Sequence, residues 1–153
     1  MKKVLAIVLA LMLVFSMSAM AEGLKIEIVS KGFQHQYWQA VLKGSEQKAA
    51  ELGVEINFVG PANESAYDEQ LSQLNSAITA KPAAIGLAAL STETCLDAIA
   101  EAQAAGIPII GFDSGVPGAP EGAILANAAT NNYNAGALAG KGLGSNRRSR
   151  SSC

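Results

Sequence analysis

The sequence predicts an α/β domain: a parallel sheet with helices on both faces and strand order 2-1-3-4-5. Three observations lead there. From Lys25 onward, short apolar runs rich in β-branched residues alternate with segments of helical period. The second run alternates apolar with polar residues while the third carries no charge, which puts the second at an edge and the third in the centre. Turn signals at Gly53, Gly60-Pro61, Lys81-Pro82 and Gly106 punctuate the alternation. Right-handed crossovers between parallel strands satisfy this order, with the switch point between strands one and three.

The first strand is Lys25 to Ser30. A polar and aromatic loop, Lys31 to Trp38, leads into a helix whose Val41, Leu42, Ser45, Ala49 and Leu52 recur at helical spacing, with Gly53 able to take the left-handed position after its end. Val54, Ile56 and Phe58 alternate with Glu55 and Asn57 as a strand with one wetter face. Asn63 or Ser65 is the expected cap of a second helix, with Tyr67, Leu71, Leu74 and Ile78 as its apolar stripe. Ala83 to Leu90 makes the third strand, and Ser91 or Thr92 opens a helix with Leu96, Ile99 and Ala102 facing inward. Ile107 to Phe112 follows as the fourth strand, its proline near the first residue where a missing donor is tolerated. After the turn-rich Pro117-Gly118-Ala119-Pro120, Ala123 to Ala126 gives a fifth strand. Asn131 or Asn132 then caps a last helix from Tyr133 to about Leu143, whose Gly136 and Gly140 are expected to pack closely on the sheet.

Ligands of open α/β sheets lie outside the carboxyl ends of the strands. The loop after strand one holds Phe33, Tyr37 and Trp38 among Gln34, His35 and Gln36, and His35 is the only histidine. Core packing accounts for most single aromatics. Three of them among amides and an imidazole suit a sugar ring, which offers a C–H face to a π surface and hydroxyls to hydrogen-bonding partners. Asp113 follows strand four directly, where it either braces the turn at Ser114-Gly115 or meets a ligand.

The stretch Val29 to Phe33, continued by Tyr37-Trp38-Gln39-Ala40-Val41, resembles the first strand, loop and helix of periplasmic sugar-binding proteins of bacterial ABC transporters, the ribose-binding type. The resemblance extends from about Lys25 to Gly142, most of one lobe of a family whose members close two lobes around the sugar. It implies that Tyr37 and Trp38 stack on a monosaccharide, pentose or hexose, and that Asp113 accepts hydrogen bonds from two hydroxyls. Ser114 stands where the ribose-binding type most often has arginine, so a bidentate donor is missing. Asn131, in Thr130-Asn131-Asn132-Tyr133, replaces the family's usual aspartate. His35 falls near a polar asparagine of the family in a loop one residue longer. An ABC permease is the implied protein partner, with no enzyme activity and no cofactor.

Lys2 and Lys3 precede an apolar run from Val4 to about Phe15, and Ala19-Met20-Ala21 supplies small residues for cleavage. Residues 1 to 21 are therefore expected to be an export signal, since about a dozen apolar residues fall short of the ~20 that span a bilayer. A periplasmic or extracellular chain without stable membrane insertion follows. The remaining 132 residues carry nine basic against thirteen acidic residues, which offers no basic face to nucleic acid. Cys95 reads as a small buried apolar residue, the other cysteine being Cys153.

Two other functions compete. An exported α/β enzyme lacks a G-x-G-x-x-G, a phosphate loop and a G-x-S-x-G elbow in this sequence. A sugar-responsive regulator would carry a helix-turn-helix where the export signal stands. From Ser145 to Cys153 the composition changes, and every arginine of the chain falls there. The expectation for this basic tail is an unstructured product of a frameshift or premature end, rather than an arm for an anionic surface.

Overall fold

The structure, a computed structural model, describes residues 23 to 150. The expected export signal and Cys153 lie outside the described residues. Five parallel strands form one sheet: β1 (Lys25–Val29), β2 (Glu55–Val59), β3 (Ala84–Leu87), β4 (Ile109–Phe112) and β5 (Ile124–Ala128), in the order β2-β1-β3-β4-β5. The helices are α1 (Gln36–Leu52), α2 (Tyr67–Thr79), α3 (Leu96–Ala104) and α4 (Asn132–Arg150).

The core lies between the sheet and helices α2 and α3. Val29, Ile85, Leu87 and Ile109 project from the strands onto Leu74, Ala77 and Ile78 of α2 and Ala98, Ile99 and Ala102 of α3. Complete burial of a side chain such as Leu74 contributes roughly 1.5–3 kcal/mol. Cys95 is buried at the edge of this cluster, where burial pushes its thiol pKa up. Helix α1 covers the opposite face, with Trp38 and Ala49 buried. Gly53 adopts φ +66° and donates its N–H to Ala49, ending α1 as the sequence implied.

Several local details differ from expectation. Ala66, not Asn63 or Ser65, occupies the cap of α2; Asn63 instead accepts from the Ser65 N–H one step earlier, and Asp68 and Glu69 complement the helix dipole. Ser91 accepts from the N–H groups of Glu93 and Thr94 in a turn, so α3 itself starts only at Leu96. Glu27, mid-strand in β1, is buried yet bridged by Lys25 Nζ (2.9 Å) and Asn57 Nδ2 (2.6 Å), which satisfies its charge.

The largest correction concerns the end of the chain. Helix α4 does not pack on its own sheet: every residue from Asn132 to Lys141 is exposed, and a methyl group added at Gly136 or Gly140 would meet nothing within 4 Å. Its backbone also remains helical to Arg150, beyond the expected end near Leu143 and through six residues of the segment read as unstructured.

One buried side chain ties the strand ends together. Gln70 of α2 donates from Nε2 to the carbonyls of Ser30 (2.8 Å) and Ala88 (2.9 Å) and accepts at Oε1 from the Leu90 N–H (2.8 Å). It thereby holds the carboxyl ends of β1 and β3 side by side, which fixes the rim on which the loops stand.

Candidate functional site

Three side chains meet at the rim formed by the exits of β1 and β4. Lys31 Nζ lies 2.7 Å from Asp113 Oδ2, and the Tyr37 hydroxyl donates to Asp113 Oδ1 at 3.2 Å. Asp113 and Tyr37 are two of the residues expected from the sequence; Lys31, in the same loop as Tyr37, is not, because a lysine beside a strand end carries no periodic signal.

The backbone at Asp113 is unusual. Its φ is +62°, and the Ser114 N–H bonds back to the Phe112 carbonyl at 2.7 Å, closing a γ-turn around it. A left-handed centre is sparsely populated for residues other than glycine, with aspartate and asparagine the best tolerated. The surrounding structure holds the turn. The Asp113 N–H extends the ladder to Ala128 at 2.9 Å, and the Asn127 amide faces the carbonyls of Gly111 and Ser114 at 3.2 Å each. Thus the strained residue is the one whose carboxylate the cluster presents.

Trp38 requires a correction. Expected to stack on a ligand, it is 3% exposed; its indole N–H donates to Glu64 at 3.0 Å, and its ring stands edge-on to Tyr37 and Phe112. Helical spacing turns it inward while the preceding Tyr37 faces out. Its role is to support Tyr37 and to border a cavity of about 190 Å³ that Phe33, His35, Ala62 and Glu64 also line. Asp113 and Tyr37 lie outside that cavity, on the open rim.

The other sequence-named residues divide. Phe33 is exposed and near Phe58, its carbonyl accepting from Gln39. His35 caps α1 by accepting at Nδ1 from the Tyr37 N–H (3.1 Å), a local task that orients Tyr37. Ser114 donates its hydroxyl to the Ala89 carbonyl (3.3 Å), which joins the exits of β3 and β4. Asn131 accepts from the Asn134 N–H (3.0 Å) and so caps α4 as one of the two expected residues, apart from the Lys31, Tyr37 and Asp113 cluster.

Tyr37 holds its proton more tightly than a free tyrosine, first through burial and then through the charge and hydrogen bond of Asp113. Folding therefore favours the neutral phenol. That contribution is complete below the ordinary tyrosine value near 10 and is lost as pH rises through the higher folded value. The urea midpoint of the chain is expected to fall more steeply above pH 10 than that of Tyr37→Phe; parallel slopes would show the link to be absent.

A family model described as a periplasmic binding protein domain matches residues 26–150. The chain belongs to the periplasmic binding protein family. Solved structures of this family align over most of it. One from Brachyspira murdochii, titled an ABC transporter, LacI family transcriptional regulator, shares 40% identity over 82% of the chain with a TM-score of 0.75. A carbohydrate transporter solute binding protein from Agrobacterium radiobacter, in complex with D-arabinose, shares 33% over 85%, TM-score 0.72. A glucose-galactose binding protein from Geobacillus stearothermophilus shares 31% over 83%, TM-score 0.70. The chain spans only 40%, 42% and 44% of these three structures, so its sheet corresponds to a lobe of a periplasmic binding protein. No curated protein matches the sequence. Among the described residues, no helix is long and apolar enough to cross a membrane.

Proposed function

We propose that the chain contributes one lobe of a monosaccharide-binding cleft, serving an ABC importer outside the cytoplasmic membrane after removal of residues 1 to 21. The observation that carries this reading is the Asp113 carboxylate, held at the rim between Lys31 and Tyr37. Asp113 accepts hydrogen bonds from adjacent ring hydroxyls, Lys31 donates to one of them, and the exposed rings of Tyr37 and Phe33 offer π faces to the C–H face of the sugar. Sugar-bound relatives support the ligand class. Binding rather than catalysis fits the committed polar groups: the single histidine caps a helix through Nδ1, and the Ser114 hydroxyl donates to a backbone carbonyl.

With one lobe supplying the contacts, affinity is expected in the millimolar range, about −4 kcal/mol. Titrating labelled chain with a panel of pentoses and hexoses at concentrations of order 10 mM should shift the NMR signals of Lys31, Tyr37 and Asp113. Asp113→Asn, which tolerates the left-handed backbone, should keep the fold and weaken binding roughly 10- to 100-fold through the lost charge-assisted hydrogen bonds. Asp113→Ala should in addition cost about 1–2 kcal/mol of stability from the positive φ. No response at the rim to any sugar would overturn the proposal.

A further inference from the structure

The strained backbone of Asp113 needs a holder, and we propose that Asn127 of β5 is that holder: a positioning residue whose amide clamps the turn and so aims the carboxylate at Lys31 and Tyr37. The inference rests on the reading of Asp113 as the sugar-binding carboxylate and adds a residue that acts through it. A γ-turn centred on a positive φ is rare and strained, so it persists only where neighbouring groups over-determine it. At Asp113 the φ is +62°, and the bond from the Ser114 N–H to the Phe112 carbonyl closes the turn without fixing its ends.

Asn127 fixes both ends. It is the only polar residue in the run Ala123 to Ala129, and it stands directly across the ladder from Gly111. One end of its amide lies 3.2 Å from the carbonyl oxygens of both Gly111 and Ser114. Two acceptors at one end of an amide can be met only by the NH2 group, which has one hydrogen for each. One bond secures the strand before the turn and the other secures the peptide after it, so Asp113 alone must bend to join them. Released from the second bond, the backbone can return to the negative φ at which aspartate is ordinarily found, and that rotation carries the carboxylate off its partners.

The residue at position 111 supports the same role. Glycine leaves room for the amide to fold over β4: a methyl group there would lie 2.5 Å from the end of the amide and 3.4 Å from its carbon. Its next neighbour, an Ile124 methyl at 3.5 Å, would be in ordinary van der Waals contact. Gly111→Ala therefore pushes Asn127 aside and little else, which removes the clamp without altering the amide.

The test reads the Tyr37 phenol, kept protonated first by burial and then by the charge and hydrogen bond of Asp113. In a background with Tyr67→Phe and Tyr133→Phe, which removes the other two tyrosines, the alkaline titration of the phenolate is followed by ultraviolet absorbance. Asp113→Asn should lower the midpoint. Asn127→Leu, of similar volume but without a donor, and Gly111→Ala should each lower it by a like amount, and neither should lower it further when combined with Asp113→Asn. The circular dichroism of the sheet should not change. Both variants should also weaken the response of the rim to sugar roughly 10-fold. A midpoint that stays at the parent value in Asn127→Leu would sink the proposal, because the turn would then hold Asp113 unaided. A parent that answers to no sugar while the midpoints still fall would instead overturn the ligand reading and leave the clamp standing.

Discussion

Gln70→Leu is expected to lower stability by about 3 kcal/mol, a large share of what a domain of this size possesses. Leucine fills nearly the same volume but removes three hydrogen bonds, leaving the Ser30 and Ala88 carbonyls and the Leu90 N–H without their partner in a site from which water is largely excluded. Because the exits of β1 and β3 lose their common tie, the loops after them should loosen as well. Gln70→Glu makes a sharper test. At neutral pH it turns a carboxylate oxygen toward two carbonyl oxygens, so it should be worse than leucine and recover part of the loss when acidified enough to protonate. Urea denaturation of the three proteins at neutral and mildly acidic pH would show this order. A leucine variant as stable as the parent would mean that the bonds are replaced by solvent.

Gly60→Ala is the second change of large effect. A methyl group there would lie 2.7 Å from the Gly32 carbonyl oxygen and 2.9 Å from its carbon, and would also run into the Ser30 hydroxyl. Two backbone segments meet at this point, so no flexible side chain can yield. Overpacking of this kind costs about 1–3 kcal/mol, and the upper end is expected because the loop from Lys31 to His35 must shift. Trp38, the only tryptophan, packs near Gly32 and reports that shift through its fluorescence. Adding Ser30→Ala should restore only part of the stability, since the Gly32 backbone still obstructs. Full restoration would identify the hydroxyl as the sole obstacle.

These two residues mark where the sequence stopped being legible. Strand order could be read because it rests on composition: the alternating Val54 to Phe58 run belongs at an edge, and the uncharged Ala83 to Leu90 run belongs in the centre. Gly53 was readable because one backbone conformation demands it. Gln70 was not, since an amide in the first turns of an amphipathic helix looks like any solvated polar residue until the ends of two strands are placed against it. The rim was half legible. Asp113 and Tyr37 could be named from position, but Trp38 sits one residue along the same helix, and that step turns it from the surface to the interior. The packing of the last helix was misjudged for a related reason: its glycines signal that close approach is possible, while nothing local says what approaches.

The γ-turn at Asp113 also separates the demands of the backbone from those of the charge. A left-handed centre restricts which amino acids the fold accepts at that site to a small set, chiefly glycine, asparagine and aspartate. Of these, only aspartate brings an anion. Asparagine or glycine at position 113 would therefore keep the turn while leaving the Lys31 ammonium without its anion.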